Sequence, residues 1–361
     1  MLRRKALFFL IVVLFAQGLR AASPNLDDAQ VLIAAGHFKR AGAILETQVK
    51  LNPQDARAAC LLAQVKIAFE DLDAALTFAQ RAVSLDVSNP KYHYQLARVY
   101  GEMASRASFF AAASLARKFK HELDAALALD PQNLDALEAL MEYSFQAPRL
   151  MGGDKDKAHT LSDEIERLDP VRGNLARAEL AREEKKSGEI EVFFQKAVEA
   201  GPRDYEARVA LAGFYSSPAQ KKTDVALKHA RMALSLDKGR AKAYCILAQV
   251  YVRLERWSEL ENLLASALKE VPDDLVPYYT AAQVMVEENK DLVRASTYLH
   301  KYLSQEPEGE EPDAAHAHRL LGLVLEKQKR RVEACQELET ALRLKPDFKA
   351  AKEDLKRVSG K

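Results

Sequence analysis

The sequence predicts an all-α solenoid of antiparallel helix pairs, about nine pairs long and ended by a single capping helix. Three observations predict it. Alanine and leucine dominate the apolar residues, while Gly (14) and Pro (13) are sparse among 361 residues; Ala and Leu lose little entropy in a helix. Short stops of the form Leu-x-Pro, or close variants, recur at Pro53, Val87, Pro131, Pro170, Pro202, Lys238, Pro272, Pro307 and Pro346. Their intervals are 34, 44, 39, 32, 36, 34, 35 and 39 residues. Between stops, small and apolar residues return at spacings of three and four, which puts them on one helical face.

Ahead of the first stop, Met1–Lys5 is short and basic, Ala6–Ala16 is an apolar run of eleven residues, and Ala21-Ala22-Ser23 precedes Pro24. This is the order of a secretory signal peptide, and the run is well short of the ~20 residues of a spanning helix. Residues 1–22 are therefore expected to direct export to a secreted or periplasmic location. The alternative is an uncleaved signal anchor that holds the protein at the membrane, facing the periplasm. No cysteine follows the run, which argues against lipid attachment.

From residue 25 to 346 the same small pattern returns. Leu62-Ala63 is a weak version, and Leu96-Ala97…Tyr100, Leu211-Ala212…Tyr215 and Leu247-Ala248…Tyr251 are full ones. Ala281-Ala282 and Leu321-Gly322…Leu325 close the series. A second set follows each after a turn, as in Ala75/Ala79/Ala82, Ala226/Ala230/Ala233 and Ala334/Leu338/Ala341. The small residues let paired backbones approach, larger neighbours fill the groove, and proline at a stop suits the entry to the next helix. Three intervals are irregular. Gly101–Lys120, with Met103, Phe109, Phe110 and Phe119, reads as two lengthened helices with extra core, an aromatic interaction site being the alternative. Ala147–Lys155 reads as a loop in which Asp154 caps the next helix. Glu306–Asp313 reads as an acidic, solvated surface loop. Residues 347–361 form the cap, with Ala351, Leu355 and Val358 inward and charges outward.

At these residues the chain resembles the tetratricopeptide repeat family, whose pattern is Leu-Gly-x-x-Tyr, Ala-x-x-x-Phe and Pro on a 34-residue period. The resemblance implies a right-handed superhelix. The family's early tryptophan is not kept; the single Trp257 is placed in a turn between helices.

Chemistry-bearing motifs are sparse. The formal charge is +1, and without residues 1–22 it becomes about −3, with 49 basic against 52 acidic groups. Such a body offers no basic footprint for nucleic acid. Cys60, Cys245 and Cys335 are odd in number and far apart, so no disulfide framework is expected, and Cys60 and Cys245 read as small buried residues. His316 and His318 point to different faces of a helix, and His37, beside Gly36, is expected to be exposed. No Gly-x-Ser-x-Gly, His-Glu-x-x-His, Cys-x-x-Cys or phosphate-binding GxxxxGK[ST] string occurs. No catalytic site, cofactor or metal is expected.

What remains is binding. A solenoid leaves a long curved inner surface without a partner of its own. The resemblance implies that first helices line it, here with Arg57, Cys60 and Gln64, then Lys91, Tyr94 and Arg98, then Lys242, Gln249 and Arg253. Relatives that clamp a peptide's terminal carboxylates pair such cations with asparagines, which this chain does not supply. The expectation is a groove for protein or peptide partners in a scaffold or adaptor of the cell envelope. The alternative is a membrane-anchored structural or regulatory subunit of an envelope complex.

Overall fold

The computed structural model describes residues 25–220, 222–309 and 312–360. The signal segment expected over residues 1–22 lies outside them. All regular structure among the described residues is helical. The first four pairs are α1 (Leu26–Ala35) with α2 (Phe38–Leu51), α3 (Ala56–Ala68) with α4 (Leu72–Leu85), α5 (Pro90–Arg106) with α6 (Phe109–Leu129), and α7 (Leu134–Gln146) with α8 (Lys155–Leu168). Next come α9 (Pro170–Glu183) with α10 (Ser187–Ala200), α11 (Tyr205–Ser216) with α12 (Thr223–Leu236), and α13 (Ala241–Arg253) with α14 (Trp257–Glu270). The last two pairs are α15 (Val276–Glu287) with α16 (Leu292–Tyr302) and α17 (Ala314–Lys327) with α18 (Arg331–Leu344). The cap is α19 (Lys349–Ser359).

Local chemistry sets the ends of these helices. Asn25, Asp55, Asn133, Asp169, Asp204 and Asp313 each accept a backbone N–H of the first turn through the side chain, which satisfies donors that have no partner inside the helix. Asp169 starts α9 with Pro170 in the first turn, where a missing N–H costs nothing. The tight turn inside a pair repeats as well. Glu70, Lys185, Glu255, Asn289 and Lys329 all adopt φ between 53° and 63° at that turn, and Gly36 does so at 89° in the first pair.

The recurring alanines are the contact points. Ala63, Ala75, Ala79, Ala97, Ala212, Ala226, Ala230, Ala248, Ala282 and Ala334 are fully buried. At Gly173 a Cβ would lie 2.2 Å from Glu166 Cα, so α9 crosses α8 at a distance only glycine permits. The recurring tyrosines join neighbouring pairs. The hydroxyls of Tyr100, Tyr215 and Tyr251 accept from Gln80 (3.3 Å), Gln195 (2.9 Å) and Arg231 (3.0 Å). Each donor sits 20 residues earlier, on the second helix of the preceding pair.

The superhelix also returns on itself. The α1–α2 turn meets the loops between pairs six and seven, seven and eight, and eight and nine. His37 Nε2 donates to Gly239 O at 2.7 Å, and its Nδ1 lies 3.5 Å from Asp273. Arg40 pairs with Asp273 at 2.5 Å. Lys39 donates through its backbone N–H to Glu308 (2.6 Å) and through Nζ to the carbonyls of Glu306 (2.6 Å) and Asp273 (3.2 Å). Its Nζ also lies 3.2 Å from the fully buried Glu308 carboxylate. Gly309, at φ 111°, packs against Phe38 and the Ala68 carbonyl.

This clasp corrects two expectations. His37 is buried (4% exposed) rather than exposed, because the far edge of the superhelix covers it. The described part of the 306–313 loop is not a solvated surface loop, because Glu308 is its anchor in the first pair. A third correction concerns pair three. Its helices are lengthened as expected, but Phe109 and Phe110 are 75% and 86% exposed; of the four core candidates there, Met103 and Phe119 pack inward. Trp257 is the first residue of α14 rather than part of a turn, and Arg294 lies over its ring at 4.8 Å.

Candidate binding surface

Polar residues of the first helices fall at helical spacing. On α5 the stripe is Tyr94, Arg98 and Glu102; on α7 it is Glu138, Glu142 and Gln146; on α9 it is Arg172, Glu179 and Glu183. These stripes border two cavities that share Glu138, Glu142 and Gln146 and so form one groove. The cavity between pairs three and four measures about 570 Å³, and the one from pair four to the start of pair six about 790 Å³. The floor is apolar, with Phe119 and Ala116 in the first and Met141, Phe145 and Leu180 in the second.

Irregular repeats make this room. The lengthened α5 and α6 set Ala104, Ala112 and Ala116 along the first cavity, and a short 3-10 helix, Arg149–Met151, packs against α6. Tyr143 OH donates to the Met151 carbonyl, tying that helix to the groove's rim. Asp154 caps α8 through Lys157 N at 3.1 Å, as the sequence indicated.

The groove is acidic. Nine carboxylates and two guanidiniums line the two cavities. One guanidinium, Arg172, is held by Asp135 (2.6 Å) and by both oxygens of Glu138 (2.7 Å each), a fork-to-fork geometry. Those bonds, Glu138 foremost, hold its pKa above the ordinary arginine value. The other, Arg98, reaches Gln95 at 3.4 Å. Glu142 has its carboxyl pKa raised, first by burial; the Gln146 hydrogen bond lowers it, and Glu179, Glu183 and Glu102 raise it. Burial likewise raises the Tyr94 phenol.

The structure places the eight residues read from the sequence in several settings. Tyr94 and Arg98 line the groove. Gln64 and Arg98 border a shallower depression closed by Phe38, Glu308 and Gly309 of the clasp. Arg57 bonds to Asp27 (2.5 Å) and Gln30 (2.7 Å) of α1. Lys91 is exposed at the start of α5. Lys242 is 3.7 Å from Glu206, and Gln249 accepts from Ser216 at 3.4 Å. Arg253 bridges pairs by donating to the Ser216 carbonyl and, at 3.0 Å, to Glu288. The groove's carboxylates were missed because the cationic stripe was followed from α5 directly to α13. The Glu138/Glu142 and Glu179/Glu183 spacings of four were the available signal.

Two thiols lie close to this face. Burial pushes Cys60 up to about 12 against the pull of Arg98, Lys91 and Gln64. Burial, aided by Asp274, pushes Cys245 up to about 12. Both are protonated at neutral pH and unsuited to nucleophilic work. Among the described residues no group of three or more His, Cys, Asp or Glu side chains is arranged to hold a metal ion.

Residues 32–99 match the family profile described as tetratricopeptide repeat. No curated protein matches the chain. Among solved structures, yeast Tom70 aligns with a TM-score of 0.51 at 16% identity, over 92% of this chain and 80% of its own. TTC0263, a thermophilic TPR protein of Thermus thermophilus, aligns at 0.46 and 22% identity, over 52% of this chain and 96% of its own. A tetratricopeptide repeat protein from Parabacteroides merdae gives 0.43 and 16%, over 85% and 99%. At these identities the likeness is one of fold, and the Tom70 alignment carries it.

Proposed function

From the tetratricopeptide-type fold and the family match over residues 32–99, we propose that the chain is a non-catalytic scaffold of the cell envelope that holds a segment of a partner protein on its inner face. The fold is that of protein-interaction scaffolds. The observation that carries the inner-face reading is the groove across pairs three to six. It is concave, apolar at its floor and polar at its rims, and these are the features of a site that buries a ligand and fixes its orientation.

The envelope setting is supported by the basic, apolar and small-residue order of residues 1–22. No helix among the described residues is long and apolar enough to cross a membrane. Anchoring to a membrane is the second reading, and Arg20 and Pro24, which disfavour cleavage beside Ala21-Ala22-Ser23, support it. Mass determination of the amino terminus from fractionated cells separates the two. A terminus near Ser23 in the periplasmic fraction supports export, and Met1 retained in membranes supports the anchor.

The binding reading is tested by partner capture. Replacing Tyr94→Ala together with Gln146→Ala removes two side chains that line the groove, and the set of proteins that co-purifies from an envelope extract is expected to shrink. An unchanged set, with the circular dichroism spectrum also unchanged, removes this face as the binding surface.

A further inference from the structure

We propose that the groove of pairs three to six takes an extended partner segment in which lysine or arginine side chains alternate with apolar ones. This deepens the inner-face reading above and rests on it. The argument starts from charge. Of the nine carboxylates that line the groove, Asp135 and Glu138 chelate Arg172, Asp169 and Asp204 cap helices and Glu206 pairs with Arg240; Glu102, Glu142, Glu179 and Glu183 remain, with Arg98 at the α5 end of the groove. Glu142 on α7 then faces Glu179 and Glu183 on α9 and Glu102 on α5 across the same concavity. Glu179 pairs with Arg182, three residues on, at 2.7 Å on an exposed face, where such a pair contributes little.

Like charges gathered over a low-dielectric floor repel one another, and a ligand that brings cations relieves that repulsion. Burial is the first cause of the raised Glu142 carboxyl pKa, and the neighbouring Glu179, Glu183 and Glu102 raise it further. An acidic segment would add charge of the same sign, and a neutral one would leave the repulsion in place.

The floor supplies the second half of the recognition. Phe145 and Met141 are buried at the base of one cavity, and Phe119 and Tyr143 line the other. Apolar side chains facing down and cations facing the rims alternate along an extended strand, because successive side chains point to opposite sides. Three steps between first helices, at about 8–10 Å each, span roughly 24–30 Å. At about 3.3 Å per residue, seven to nine extended residues cover that distance. The clasp binds pair one to the loops after pairs six, seven and eight, and these bonds involve no residue of α7 or α9.

The test uses the full chain and three photoreactive nonapeptides. All carry leucine or alanine at alternate positions, with lysine, glutamine or glutamate between them. The lysine peptide is expected to bind at least tenfold more tightly than the other two and to crosslink to α5, α7 and α9. The triple variant Glu142→Gln, Glu179→Gln, Glu183→Gln is expected to weaken it at least tenfold with an unchanged melting curve. The control Glu189→Gln, Glu199→Gln on the exposed side of α10 is expected to leave binding unchanged. No binding of the lysine peptide, equal binding of the glutamine or glutamate peptide, or an unaffected triple variant overturns the cationic partner. In those cases crosslinks that still fall on the first helices preserve the inner-face reading. Crosslinks confined to α6, α8 and α10 overturn both.

Discussion

The two halves of the superhelix pack differently. From Ala178 to Val358 the buried side chains form one connected cluster through pairs five to nine. Between Ala29 and Leu180 they fall into four separate clusters. The sequence period follows the same division. Pairs six to eight occupy intervals of 36, 34 and 35 residues, between 32 for pair five and 39 for pair nine, whereas pairs three and four occupy intervals of 44 and 39. A regular period brings each pair onto its neighbour in the same register, so apolar surface passes from one interface to the next. Extra residues break that register, divide the core and leave cavities. The groove lies where the repeat is least regular, so a repeat protein can open a cavity without a separate domain: local packing is given up at one place and the neighbours hold the frame.

The largest test of that contrast is a core truncation in each half. Leu264 on α14 (1% exposed) and Leu123 on α6 (0% exposed) are equally buried, and each change to alanine removes about 2–5 kcal/mol of local stability. Leu264→Ala is expected to lower the main melting transition, because its cluster is continuous. Leu123→Ala is expected to expose pairs three and four to limited proteolysis while a fragment starting near Ala178 survives. A single shared transition for both variants would show that the clusters cooperate across the irregular pairs.

The clasp is the next largest effect, because it joins the divided half to the continuous one. Lys39→Met keeps the backbone bond to Glu308 and removes the ammonium group beside a buried carboxylate. A cost of about 1–3 kcal/mol is expected. It is limited to the free energy of opening the clasp rather than of unfolding the array. Hydrogen exchange should therefore rise at residues 37–41 and 239–241 and stay unchanged in α9 and α10. Acceleration throughout pairs one to four would mean that the clasp supports the divided half as a whole.

The clasp also marks the limit of what the sequence made legible. Nine pairs and a cap followed from stops and spacings, because neighbouring helices contact each other locally and leave a periodic trace. His37, Lys39 and Glu308 meet across more than 200 residues, and no local period records where a superhelix returns on itself. Hence His37 and the 306–313 loop were both expected to face water. Phe109 and Phe110 were expected inside for a related reason: aromatic side chains in an alanine-rich helix usually are core, but here the lengthened helices carry them past the end of their neighbours. On the groove, Tyr94 and Arg98 were reached through the family resemblance and its first helices, whereas the acidic residues belonged to the irregular pairs where alignment of the repeats slips.

Acid should act on the clasp and on the continuous half in opposite directions. His229 on α12 is buried and takes a hydrogen bond from Arg208 at 3.0 Å. Burial first, then the Arg208 and Lys228 charges, hold its pKa below the usual imidazole value. The unfolded chain therefore binds the proton more tightly, and stability present above the ordinary histidine pKa is lost as pH falls through it. In the clasp, burial raises the carboxyl pKa of Glu308 and of Asp274. Closing takes up protons, so the clasp is tightest below the ordinary carboxylate range and loosens as pH rises through the raised values. Between pH 7.5 and 5.5 the main melting temperature should fall, and a His229→Gln variant should fall less. Exchange at residues 37–41 should slow, relative to the intrinsic rate, on going lower still. Parallel changes at both places would deny the separation.

The smallest effect lies in the turns inside the pairs. Glu70 and Glu255 occupy the same position of the same turn, at φ 58° and 53°, in the divided and the continuous half respectively. A residue with a Cβ is strained there, whereas glycine adopts that conformation readily. Part of the gain is lost to the greater freedom of glycine in the unfolded chain, leaving roughly 0.5 kcal/mol for either change to glycine. If stability spreads only as far as the core is connected, Glu255→Gly raises the main melting temperature by about 1–2 °C. Glu70→Gly then slows exchange within α3 and α4 and leaves that temperature where it was. Equal shifts from both would mean that the gaps between the amino-terminal clusters are features of side-chain contact alone, and that the backbone hydrogen bonds and alanine contacts are enough to make nine pairs melt as one.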